Sequence, residues 1–228
     1  MGVAERLPRL AEFYGPLALP PVDPFGVFLW EVLGTRTTAG RREAALAALR
    51  RVPALTPDAV RKVGRGRLEA IARLCGPFAD ERVAAIEAGV DVFRRRRDLA
   101  GRLRGPLREA WLAARDLPHL GHAGALRVLL FSTSHLHVPV DAAVSRLAIR
   151  LGLAPPHANP RRTVRTVRRA LSDALPSEAT ARRQAVLLVS HHAQATCVEI
   201  EPHCTVCPLL PDCAHGAARV AQGAPGPP

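Results

Sequence analysis

CVEIEPHCTVCPLLPDC, running from Cys197 to Cys213, places Cys197, Cys204, Cys207 and Cys213 in C-x6-C-x2-C-x5-C spacing. Disulfides are disfavoured in a reducing compartment, so four clustered thiols point to a metal site. On chemistry alone, tetrahedral sulfur ligation suits zinc or an iron-sulfur cluster equally well. His203 and His215 lie close enough in sequence to replace a cysteine on zinc. The fifth cysteine, Cys75, stands apart and reads as a small apolar residue in a helix.

Upstream of this stretch, apolar residues recur at helical spacing almost throughout. No period-two run of β-branched residues bounded by turns interrupts them, so the fold class is all-α. Asp23-Pro24 sets a cap and a first-turn proline ahead of Phe25, Phe28, Leu29, Val32 and Leu33, with Gly34 as a stop. Thr38 and Thr56-Pro57 repeat the signal ahead of Ala45, Leu46 and Leu49 and ahead of Val60 and Val63. Further helices are expected at about 66–75, 79–97 and 106–116. Asp141 opens a helix that places Val144, Leu147, Ala148 and Leu151 on one face. Asn159-Pro160 opens another, with Val164, Val167, Leu171 and Ala174 inward and the arginines at 161, 162, 165, 168 and 169 outward or sideways. A last helix is expected at about 177–194, and the tail 217–228 is expected to be disordered.

The 228 residues suit one large domain or two small ones. A hydrophobic share of 48% excludes a disordered basic tail, and a net charge of +12 favours a polyanionic partner. All basic residues but Lys62 are arginines. No apolar run reaches the roughly 20 residues needed to span a bilayer. The start MGVAERLPRL lacks the apolar core of a signal peptide, so the expected location is cytoplasmic, associated with the nucleoid, with no membrane partner.

The cysteine spacing resembles that of the endonuclease III-like, helix-hairpin-helix DNA glycosylases. Two more segments agree: LPHLGHAGALRVLL, Leu117 to Leu130, resembles the family's hairpin LPGVGxxTAxxVL, and VPVDAAVSRLAIRLGL, Val138 to Leu153, resembles its VDTHVxRVxxRLGL. The resemblance implies a two-domain fold, a helical barrel domain at 22–134 beside a 4Fe-4S cluster domain made of 1–21 with 135–216. It also implies a 4Fe-4S cofactor on Cys197, Cys204, Cys207 and Cys213. The implied partner is double-stranded DNA containing a lesion or mismatch, bound by a monomer that flips and removes a base.

Asp141 matches the family's catalytic aspartate, and Leu117, His119, Gly121, His122 and Arg36 match positions implied to meet DNA. An aspartate that merely caps its helix would look the same in sequence. Four positions depart from the pattern: His119 replaces the first hairpin glycine, Ala143 replaces the histidine after the aspartate, and Arg36 stands where many members have a glutamine. Ala123 occupies the position of the Schiff-base lysine of bifunctional members, and a Schiff base needs an amine. Weak or absent AP lyase activity is therefore expected, with an abasic site as product. Two alternatives remain open: a catalytically silent iron-sulfur protein that binds damaged or branched DNA, and a zinc-stapled nucleic-acid module.

Overall fold

The structure, a computed structural model, describes residues 2–51 and 55–223. It contains no strand among these residues, as the helical periodicity requires. Thirteen α-helices follow in order: α1 (Leu7–Tyr14), α2 (Pro24–Gly34), α3 (Ala39–Arg50), α4 (Pro57–Val63), α5 (Arg65–Arg73), α6 (Ala79–Arg95), α7 (Leu99–Arg104), α8 (Leu107–Arg115), α9 (Gly121–Ser132), α10 (Ala142–Arg150), α11 (Pro160–Ala174), α12 (Ala179–Ala195) and α13 (Ala214–Ala221). None of these is long and apolar enough to cross a membrane. The chain divides into two compact units, a central one at Pro20–His137 and a terminal one made of Met1–Leu19 and Val138–Pro228.

The central unit is built around α2. Asp23 accepts a hydrogen bond from the Gly26 amide at 2.7 Å, and Pro24 fills the first turn, where no amide partner is needed. Beyond this cap α2 is apolar on nearly every side, with Phe28, Leu29 and Leu33 wholly buried, and α9, α3 and α6 pack around it. Gly89 of α6 lets the two helices approach, because a Cβ there would lie 2.1 Å from the Phe28 ring. Thr38 and Thr56 cap α3 and α4 through the Arg41 and Ala59 amides.

In the terminal unit, α12 packs on α1 and α10, and α11 packs on α10. The inward residues of α10 are as its spacing indicates: Val144, Leu147, Ala148 and Leu151 are all buried. On α11 the buried line is Thr163, Val167 and Leu171, so Val164 and Ala174 sit half-buried at its margins. Residues 217–221, expected to be disordered, instead continue α13, and 224–228 lie outside the described residues. Three helices had no counterpart in the sequence reading, α1, α7 and α13. Cys75 is wholly buried just beyond the end of α5.

Candidate nucleic-acid interface and cysteine site

In the central unit, α8 and α9 are joined by a short hairpin at 116–120. His119 takes a left-handed backbone (φ +63°), the conformation its replaced glycine would adopt freely, and Gly121 follows at φ +61°. Histidine is among the residues that tolerate this region best, so the turn survives the substitution. A Cβ on Gly121 would meet nothing within 4 Å, which leaves the tip open to an approaching group. The first turn of α9 offers backbone N–H groups there, the arrangement that receives a phosphate.

Leu117, expected to meet DNA, is instead 4% exposed; its side chain anchors the hairpin from within. His122 is exposed and packs edge-on against Trp111, with ring centroids 4.7 Å apart. Ala123 lies in the same first turn and carries no functional group.

Arg36 and His119 come together. They line one cavity of about 210 Å³ with Val32, Thr35, Phe78 and Arg82. Arg36, Phe78 and His119 are all left-handed non-glycine residues, and the Arg36 guanidinium lies 4.9 Å above the Phe78 ring. Such conformations cost of order 1–3 kcal/mol each and concentrate at functional sites. Arg82 is buried and donates to the Thr35 carbonyl at 2.6 Å, which fixes the loop that presents Arg36.

The same unit holds a half-buried charge group that the sequence reading missed. Glu31 pairs with Arg127 at 3.1 Å, and Arg42 lies 3.8 Å over the Trp30 ring while pairing with Glu43. Burial lowers the Arg42 pKa, opposed by the Glu43 and Glu31 charges. The available signal was Glu31 itself, a carboxylate in the middle of an otherwise apolar helix.

Asp141 belongs to the terminal unit. Its Oδ1 accepts from the Val144 amide at 2.9 Å, so the carboxylate caps α10 at the end where the helix dipole favours an anion. The far end of the same helix grips the cysteine loop. Arg150 donates to the Val198 carbonyl at 2.6 Å and to the Glu199 carbonyl at 3.1 Å, and Arg146 donates to the Cys197 and Ala193 carbonyls.

Cys197, Cys204, Cys207 and Cys213 line one cavity with Leu147, Leu151, Leu210, His192, His203 and His215. Donors already point at the sulfurs: the Leu209 amide at Cys207 (3.4 Å), the Gly216 amide at Cys213 (3.3 Å) and the Arg150 guanidinium at Cys197 (3.4 Å). Burial pushes the Cys204 and Cys207 thiols up, Cys207 to about 11, and neighbouring cysteine charges add to both. Thiols so placed lose their protons together only against added positive charge, which bound metal supplies. Among the described residues no group of three or more His, Cys, Asp or Glu is placed to hold a single metal ion, and the four cysteines share the lining of one cavity. Burial lowers the pKa of His192 to about 4, which keeps its ring neutral, and raises that of Tyr14 to about 12.

No protein-family model and no curated protein matches the chain in sequence. Solved structures do match over its length. An endonuclease III in a non-covalent complex with DNA has a TM-score of 0.71 at 20% identity, covering 96% of this chain and 97% of that one. An endonuclease III trapped as a covalent intermediate with DNA, in an estranged-adenine complex, has a TM-score of 0.67 at 20% identity, covering 96% and 100%. A thermostable thymine-DNA glycosylase has a TM-score of 0.67 at 17% identity, covering 95% and 97%. The fold of this chain is therefore that of the endonuclease III-like, helix-hairpin-helix DNA glycosylases.

Proposed function

We propose that the chain is a DNA N-glycosylase that binds duplex DNA, flips a damaged or mismatched base and releases it with water, leaving an abasic site. A shared fold does not by itself establish an activity. The observation that carries the reading is Asp141, whose carboxylate is fixed by the Val144 amide at the start of α10, in the position that the resemblance assigns to the catalytic aspartate.

Breaking an N-glycosidic bond develops positive charge at C1′, and a preorganised carboxylate stabilises that charge and orients the attacking water. Water adds its oxygen to C1′ and gives up one proton through the carboxylate to solvent, while the base leaves with the bonding electron pair and takes up one proton from solvent to become the free base. Ala123 offers no amine for a Schiff base, and the sole lysine, Lys62, lies in α4. Gly121 and the amides of α9 bind the phosphate backbone, while Arg36 and His119 face the DNA at the adjoining cavity.

The four cysteines fit a 4Fe-4S cluster: the donor set is all sulfur, the four residues line one cavity, and N–H groups are aimed at three of the sulfurs. When bound, the cluster supplies a rigid cross-link for the loop at 197–213. Arg146 and Arg150 tie that loop to the helix of Asp141.

The test is base release from duplexes carrying oxidised pyrimidines, uracil, mismatched adenine or thymine, alkylated purines or a preformed abasic site, scored before and after hot alkali. Release from one lesion class, abolished in Asp141→Asn, supports the enzyme and names its substrate. Binding without turnover across the panel supports the silent DNA-binding alternative, which the replacements at Ala123, His119 and Ala143 together motivate.

A further inference from the structure

The cysteine cavity has a polar back wall that the proposed chemistry does not use. His192, 1% exposed in the last turn of α12, places Nε2 3.7 Å from the Cys207 sulfur. Its Nδ1 lies 2.8 Å from the Tyr14 hydroxyl, and that hydroxyl lies 2.6 Å from Thr196 Oγ1. The His191 ring packs edge-on against Tyr14, with centroids 4.6 Å apart, and closes the other side.

The donor directions are determined. A cysteine sulfur that ligates metal is a thiolate and only accepts, so the neutral imidazole carries its proton on Nε2 and donates it to Cys207. Nδ1 is then an acceptor and takes the Tyr14 O–H. Having spent its one proton, the Tyr14 oxygen accepts from the Thr196 hydroxyl. Each member has one arrangement that satisfies both neighbours.

We propose that Thr196, Tyr14 and His192 form a fixed hydrogen-bond relay ending on Cys207, and that this relay sets the reduction potential of the cluster the cysteines hold. The proposal rests on the reading of Cys197, Cys204, Cys207 and Cys213 as ligands of a 4Fe-4S cluster. It makes the amino-terminal helix α1 part of the cofactor's surroundings. One electron takes a four-thiolate cluster from a net charge of about −2 to about −3. An N–H donated to a ligating sulfur stabilises the more negative state, as second-shell donors do at metal sites generally. Cys207 then receives two such donors, His192 and the Leu209 amide. His192, Tyr14 and Thr196 are positioning residues.

The full chain, purified with its iron, is reduced stepwise with dithionite while the absorbance near 400 nm is followed, and iron content is measured alongside. His192→Leu is expected to shift the midpoint potential to a more negative value. Tyr14→Phe is expected to shift it less, in the same direction, because the tautomer is no longer fixed. His192→Gln, whose amide nitrogen can stand near Nε2, is expected to return it towards the wild-type value. If His192→Leu does not load iron, the other two variants carry the test. Iron-loaded variants with unshifted potentials overturn the relay alone. A wild-type protein holding zinc in place of iron overturns the cluster reading and the relay with it.

Discussion

The proposed function gives Asp141 a second duty beside its cap on α10, and the two are separable by substitution. Asparagine caps a helix as well as aspartate does, so Asp141→Asn is expected to keep α10 and change stability by less than about 0.5 kcal/mol. It removes the charge that faces the developing cation, and base release is expected to fall by about 10²–10³-fold, the loss seen when one stabilising group leaves a preorganised site. A thermal melt and single-turnover base release, run on the same preparation, check both halves.

Gly121 gives a second prediction at this scale. An added Cβ meets open space, so Gly121→Ala acts through its positive φ and costs about 1–2 kcal/mol of backbone strain. Affinity for damaged and undamaged duplexes is expected to fall in parallel, as measured by titration of both, because the contact proposed for the hairpin is to phosphate, which carries no sequence information. Single residues were legible where their role is local. The caps at Asp23, Thr38, Thr56, Asp141 and Asn159 depend only on the next three residues, and all five form. Leu117 was not legible, because whether a leucine at a hairpin points in or out is decided by what packs beneath it.

At the scale of elements, α2 shows how pattern becomes packing. Its apolar residues exceed the width of one stripe, and the structure surrounds it with α3, α6 and α9. The crossing with α6 depends on Gly89, so Gly89→Ala is expected to destabilise the protein by about 1–3 kcal/mol, as overpacked cores are, and to lower the melting midpoint. A melt unchanged from wild type would show that the two helices move apart at no cost. The helices the sequence reading lacked, α1, α7 and α13, are short, and helices of that length form through packing rather than propensity. The shift of the buried face on α11 to Thr163 has the same origin. A threonine counts as polar in a pattern, yet its hydroxyl here donates to the His157 carbonyl.

For the whole molecule, the net charge of +12 and the open hairpin lead to a common expectation. The logarithm of the duplex association constant should fall linearly with the logarithm of salt concentration, with a slope of about 0.9 per phosphate contact made. Titrations at several salt concentrations measure that slope, and a slope near zero would remove the phosphate-binding role of the hairpin. The all-α class and the gathering of the four cysteines at one cavity were legible because each rests on spacing. The cavity shared by Arg36 and His119 was not, since it joins residues far apart in sequence through backbone conformations that no pattern announces. The central claim is base removal by water without a Schiff base. The most direct measurement follows strand integrity on the duplex that shows base release, before and after hot alkali, with borohydride present to trap any covalent adduct. The account predicts intact strands before alkali, cleavage at the lesion after it, and no adduct. Strands cut before alkali, together with a trapped protein-DNA adduct, would contradict it.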